Sequence, residues 1–220
     1  MVSFRVLQLA DSAFPTGGFA HSGGLESAIH AGIVRSATEV RQFVDEALLA
    51  TSRGALPIVG AAWDGDRDLA ELDAFTTATL WSHVAARASR AQGRALVDVT
   101  ARAFAIPALV ALREAVLSEA QPGHLAPMFG AVTRALGVTR DDASATFLHL
   151  VVRSLLSAGV RLGALGPTEA QALHAELDPS LEAARERART LSVDDVAQPS
   201  PISELVQAGH DRLYTRLFQT

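Results

Sequence analysis

The chain has 220 residues, 49% of them hydrophobic and 20% charged, enough apolar material to bury a core in one or at most two domains, which excludes disorder over its whole length. Its formal net charge of −5 and pI near 5.8 give no general attraction to a phosphate backbone or an anionic membrane surface, so nucleic acid and membrane are poor partners. The absence of cysteine removes disulfides, thiolate metal ligands and a Cys nucleophile together, which fits a reducing compartment and makes the cytoplasm the expected location.

Aromatic residues make up only 5%, and the apolar mass is mostly Ala, Leu and Val, which favours close helix-on-helix packing and an all-α fold. Residues 1–10 lack the long apolar stretch and small-residue cleavage site of a signal peptide, and contain Arg5 and Gln8. They are expected to form a short helix over 3–10. No later apolar run approaches the roughly 20 residues that cross a bilayer, so a soluble protein is expected.

Pro15, Gly17 and Gly18 then impose a loop over 11–18. A short helix follows over 24–31, and Ser36 with Glu39 forms a capping box opening a longer helix to about 53. Helices are expected over 56–63 and 69–80, separated by the acidic turn Asp64-Gly65-Asp66. Helical spacing runs from 82 to 104, with Arg87, Arg90 and Arg94 along one side; Pro107 ends this helix or starts the next, and another helix runs through Leu117. The breaker cluster Gln121-Pro122-Gly123-His124 precedes a helix over 128–136 that stops at Gly137.

Thr139 or Asp141 caps the most apolar segment, which runs through Val160 and contains Phe147, Leu148, Leu150, Val151, Val152, Leu155 and Leu156. A helix apolar around most of its circumference belongs at the centre of a bundle. Thr168 with Gln171 reads as a second capping box, and Asp178-Pro179 as a break and restart behind an Asp cap. Residues 192–201 are polar with two prolines and precede an amphipathic piece over 202–218. The resulting expectation is a single-domain helical bundle over 1–191, followed over 192–220 by a connector and a mobile C-terminal tail.

Chemical motifs are mostly missing. The run Gly17 to Gly24 lacks G-x-x-x-x-G-K-[ST] and follows a helix, so it is no phosphate cradle. His21 and Ser22 are adjacent in sequence without a G-x-S-x-G elbow, and a structural loop is the simpler reading. The seven histidines, at 21, 30, 83, 124, 149, 174 and 210, show no H-E-x-x-H or paired spacing, so neither a resident metal nor another cofactor is expected. His149 and Arg153, with Thr146 and Ser157, form a polar stripe on an apolar helix and read as satisfied groups inside the bundle. The Arg87, Arg90 and Arg94 face reads first as a solvated stripe paired with Asp64, Asp66 or Asp68, and second as a source of an arginine finger for a partner nucleotide hydrolase.

The stretch 11–26, D-S-A-F-P-T-G-G-F-A-H-S-G-G-L-E, resembles the amino-terminal signature D-S-x-x-P-x-G-x-[FY]-x-H-S-x-G-L-E of the UreF family. Further similar segments follow in the family's order: S-R-A-Q-G-R at 89–94, His124 ahead of Phe129-Gly130 and Leu136-Gly137, and Val160-Arg161-Leu162 ahead of Leu165-Gly166. The ending H-D-R-L-Y-T-R-L-F at 210–218 resembles H-x-x-L-Y-[ST]-R-L-[FY].

The resemblance implies a helical urease accessory protein, a co-chaperone without catalytic residues. It would bridge UreD (also called UreH) and the GTPase UreG, modulate GTP-dependent nickel insertion into apo-urease, and form a homodimer. Phe19 and Arg216 fall on family positions linked to partner assembly, with Tyr214 in the same tail motif. The partner-binding candidates are Phe19, His21, Ser22, Glu26, Arg90, Arg94, His124, His210, Tyr214, Arg216 and Phe218. The chain departs from the family pattern at 164–171, at Phe19, which lacks a tyrosine hydroxyl, and at Gln219-Thr220. Three other classes stay open: a nickel-binding carrier using scattered histidines, a small hydrolase built on His21, Ser22 and Glu26, and a nucleic-acid-binding helical regulator.

Overall fold

The computed structural model describes residues 3–118 and 120–219. Met1 and Val2, at the start of the expected 1–191 unit, and Thr220, at the divergent terminus, lie outside the described residues. Among the described residues there is no strand, and the fold is all-α.

Two short helices, α1 (Phe4–Ala10) and α2 (Leu25–His30), flank the glycine loop, within which a 3-10 turn covers Gly18–Ala20. The longer α3 (Ala37–Arg53) opens where Ser36 Oγ accepts the Glu39 N–H at 3.3 Å. The Glu39 carboxylate reaches one residue further back than a capping box requires, to the Arg35 N–H at 2.7 Å. Then come α4 (Ala55–Asp64), α5 (Leu69–Thr79), capped by Asp68, and α6 (His83–Phe104), capped by Ser82. α7 (Pro107–Leu117) starts on its proline, and α8 (Leu125–Ala135) starts three residues earlier than expected, directly after His124. Thr139 caps α9 (Arg140–Arg161), accepting the Asp142 N–H at 3.1 Å.

Two expected caps are corrected. Thr168 is not a cap: α10 (Pro167–Glu176) begins after Gly166, whose N–H donates to the Glu169 carboxylate at 3.1 Å. Proline at the first helical position moves the start one residue upstream. Nor does Asp178 cap α11 (Asp178–Arg189), because it already lies within the helix and Leu177 is the single residue between α10 and α11. The amphipathic piece over 202–218 divides in the structure. α12 (Pro201–Ala208) gives way to a 3-10 turn at Gly209–Arg212, and residues 213–219 continue without helix.

α9 is the hub, packed against α1, α2, α3, α4, α8, α10 and α11. It is long and apolar enough to cross a membrane by length and composition alone, a feature that the run-by-run reading of the sequence missed. Here Phe147, Leu148, Val152, Leu155 and Leu156 are instead buried in the protein core. Phe147 meets Phe129 of α8 edge to face, with ring centroids 5.1 Å apart. α6 and the 121–124 loop approach so closely at Gly93 that a Cβ there would collide with the Gly123 carbonyl oxygen and the His124 backbone.

The segment after α11 lies along this body. Val193 is buried against Ala62 and Leu72, and the Ala197 N–H donates to the Arg53 carbonyl at 3.1 Å. Beneath residues 196–207 runs a cleft of about 760 Å³ whose walls include Phe43, Phe129, Phe147 and Leu150.

Candidate functional site: the Glu26 and His124 clusters

The first cluster joins the amino-terminal loop to the tail. Gly23 and Gly24 have φ of +60° and +91°, a left-handed turn that a side chain would strain, and this turn delivers α2 with Glu26 pointing inward. The Glu26 carboxylate accepts the Leu217 N–H at 2.6 Å and the Phe218 N–H at 3.2 Å, and lies 2.9 Å from His210 Nε2. Both Glu26 and His210 are shut off from solvent. Burial pushes the Glu26 carboxyl upward, but the Leu217 N–H, the His210 ring and the Phe218 N–H outweigh it and hold the group below the usual carboxylate range.

Arg161, at the end of α9, closes the same cluster. Its guanidinium lies 4.0 Å from the centroid of the Phe19 ring and 4.1 Å from that of Phe218, and its Nη1 donates to the Phe19 carbonyl at 2.5 Å. A planar cation between two aromatic faces ties the loop to the tail through its quadrupole attraction to each. The Gln219 N–H adds a backbone bond to the Ala20 carbonyl at 2.9 Å. Nothing in the sequence paired Arg161 with these rings; a lone cation ending an apolar helix was the available signal.

Asp211 anchors the outer edge. Arg87 meets it through two nitrogens at 2.7 and 3.1 Å, His83 Nε2 lies at 3.1 Å, and Arg216 Nη1 at 3.5 Å. The Arg87 and His83 contacts hold the Asp211 carboxyl down at about 2. The acid expected for Arg87 was Asp64, Asp66 or Asp68, but Asp64 pairs with Arg140 and Asp68 caps α5. A tail residue supplies the countercharge instead, which helix-local spacing does not encode. His21 is buried nearby, and its pKa is lowered by that burial, by Arg87 and by His210. Ser22 beside it is fully buried.

The second cluster is separate. Asp73 of α5 is fully buried and accepts the Gly123 N–H at 2.6 Å and the His124 N–H at 2.8 Å. The His124 ring, also fully buried, spans Ser89 Oγ on Nδ1 at 3.1 Å and Thr77 Oγ1 on Nε2 at 3.0 Å. Thr77 spends its hydroxyl proton on the Asp73 carbonyl, so it accepts from His124 Nε2–H, leaving Nδ1 to accept from Ser89. That is a neutral imidazole. Burial, with Arg90 and Arg94 behind it, lowers its pKa to about 4. Arg94 Nε donates to the Pro122 carbonyl at 2.9 Å.

The predicted residues therefore fall into two groups. Phe19, Tyr214 and Arg216 are exposed around the first cluster, while His21, Ser22, Glu26, His210 and Phe218 are buried within or beside it. Arg90, Arg94 and His124 belong to the second cluster and stay apart from the tail contacts just described. His149, expected to be satisfied in the bundle, stacks on His174 with ring centroids 5.2 Å apart, and Arg153 donates to the Ala10 carbonyl. Among the described residues no group of three His, Asp or Glu side chains could hold a metal ion.

Comparison with known proteins adds an independent line. Residues 34–178 match the UreF family model. Urease accessory protein F of Arabidopsis thaliana is 35% identical over 215 residues, covering 96% of this chain and 90% of that protein. Urease accessory protein F of Oryza sativa subsp. indica is 34% identical over 218 residues, covering 97% and 83% respectively. Urease accessory protein UreF of Paenarthrobacter aurescens (strain TC1) is 33% identical over 217 residues, covering 97% and 96%. With a loop, a tail and a fold that agree with the signature residues, and relatives aligned over nearly its whole length, the chain belongs to the UreF family of urease accessory proteins.

Proposed function

We propose that this chain is an adaptor in urease maturation, a cytoplasmic homodimer that bridges UreD (UreH) and the GTPase UreG and modulates GTP-dependent nickel insertion into apo-urease. The names of its relatives support the urease context. The adaptor role draws its support from one observation: Glu26 and Arg161 gather the glycine loop and the tail, nearly 200 residues apart, into one surface region.

Phe19, 68% exposed, sits on that surface with Leu217 at 52% and Tyr214 fully exposed. Exposed aromatic side chains beside an arginine are typical anchors of protein interfaces. The buried members, His21, Ser22, Glu26, His210 and Phe218, act by holding those anchors in place. Arg216, tethered to Asp211 only at 3.5 Å, is available to a partner carboxylate or phosphate.

Co-purification with UreD and UreG tests the reading. Arg216→Ala is expected to lose the GTPase from the assembly while UreD is retained, and an unchanged three-component complex refutes that role. Hydrogen exchange tests the surface: protection over 212–216, the largely exposed stretch between the anchored His210 and Leu217, is expected to rise on binding UreD, and equal protection in the free and bound chain counts against a contact there.

A further inference from the structure

His30, His83, His124 and His210 each set a ring nitrogen against a protein oxygen, and His21 is held among the tail contacts. His149 of α9 and His174 of α10 differ. Among the described residues neither ring makes a hydrogen bond or an ion pair, and each packs on the other, 24° from parallel with centroids 5.2 Å apart. Both side chains are half-buried.

α10 has little else to hold its middle. Its ten residues are too few for a stable isolated helix. Ala170 and Leu173 are its only buried residues, and at about 100° per residue they share one stripe with His174. The ends are anchored separately: the Gly159 carbonyl accepts the Ala164 N–H at 2.9 Å and the Leu165 N–H at 3.3 Å, and Leu177 is fully buried. A long ion pair, Glu176 to Arg41 at 3.6 Å, adds only a tie that water screens.

The surroundings of the stack disfavour positive charge. Burial, His174 and Arg153, one turn further along α9, all lower the pKa of His149, and Asp11 acts on Arg153. Charged groups of the other elements packed on α9 and α10 are turned to partners of their own. Arg5 of α1 meets the Leu136 carbonyl, Glu26 of α2 the tail, Arg41 of α3 Asp45, and Asp64 of α4 Arg140. Arg134 of α8 lies over Gly65, Glu169 accepts the Gly166 N–H, and Arg185 of α11 pairs with Glu182 and Asp141. None of these carboxylates is in ion-pair contact with either ring, so a second proton on the stack has no countercharge beside it.

We propose that the His149–His174 stack is an acid-released clasp. With neutral rings it holds the middle of α10 against α9; with both rings protonated the charges repel, and α10 opens between its anchored ends to uncover Ala170 and Leu173. Two unit charges 5.2 Å apart favour the open form about fourfold in water and about two-hundredfold at an effective dielectric constant of 20. The sign follows from linkage: the closed form resists the proton that the open form accepts, so the clasp holds at neutral pH and weakens as pH falls.

Hydrogen exchange of the full chain at pH 7 and pH 5, the two sides of histidine titration, compares residues 167–176 with the α9 core at 147–156 after correction for the intrinsic pH dependence of exchange. The parent chain is expected to lose at least about fourfold more protection over 167–176 than over 147–156. His174→Phe keeps a flat ring in the stack without a titrating nitrogen, and its two segments are expected to change alike. His174→Gln takes its place if circular dichroism at pH 7 shows the phenylalanine chain misfolded. Equal losses in the two segments of the parent overturn the clasp, and so does a non-titrating variant whose α10 opens in acid as the parent's does.

Discussion

Glu26 and His210, 184 residues apart in sequence, meet at 2.9 Å with both side chains withdrawn from solvent. Removing one partner of a buried pair leaves the other uncompensated, which costs about 3 kcal/mol or more. Glu26→Ala is therefore expected to release the tail while the α9 core persists. Limited proteolysis should cut the variant between 209 and 219 under conditions where the parent chain is intact.

The Phe19–Arg161–Phe218 sandwich depends on a flat guanidinium as much as on its charge. Arg161→Lys is expected to retain part of the contact and Arg161→Ala none, with each cation–π contact worth about 0.5–2 kcal/mol. In the adaptor reading the alanine variant dissociates faster from its partner than the lysine variant. Surface plasmon resonance separates the two; identical dissociation rates would remove Arg161 from the interface machinery.

His124 makes stability pH-dependent in a defined direction. Its folded pKa of about 4 lies below the ordinary 6.5, so the unfolded chain binds the extra proton between those values. The stabilisation is complete above pH 6.5 and is lost as pH falls toward 4, by roughly 3 kcal/mol in all. Urea unfolding of the parent chain and of His124→Asn at pH 7 and pH 5 measures it. The variant should lose less stability between the two pH values than the parent does.

Gly93→Ala places a methyl group against the Gly123 carbonyl oxygen and the His124 backbone, where no flexible side chain can give way. A cost of about 1–3 kcal/mol is expected from overpacking. Thermal unfolding reads it directly, and an unchanged midpoint would mean that α6 and the 121–124 loop separate easily.

Local chemistry made much of this fold readable. Ser36 carries its signature at the position it caps, Thr139 is one of the two caps offered for α9, and the apolar circumference of 140–161 announces a central helix. Where reading failed, another contact had decided the outcome. Pro167 shifted a helix start, and the acid for Arg87 came from Asp211 across 124 residues. The glycine loop and the tail were recognisable as separate signatures, but their meeting at Glu26 was not. A buried carboxylate accepting backbone N–H groups has no sequence period, and a cation between two rings depends on geometry that only folding creates.

The long reach of Glu26 also ties the display of Phe19 to completion of the polypeptide. While the chain is still emerging from the ribosome, the carboxylate has no imidazole or tail amides to satisfy it, and Arg161 has no second ring. A product cut short before residue 210 would carry most of the helices yet lack the tail groups that hold the amino-terminal loop, and in the adaptor reading such truncated copies would fail to engage a partner.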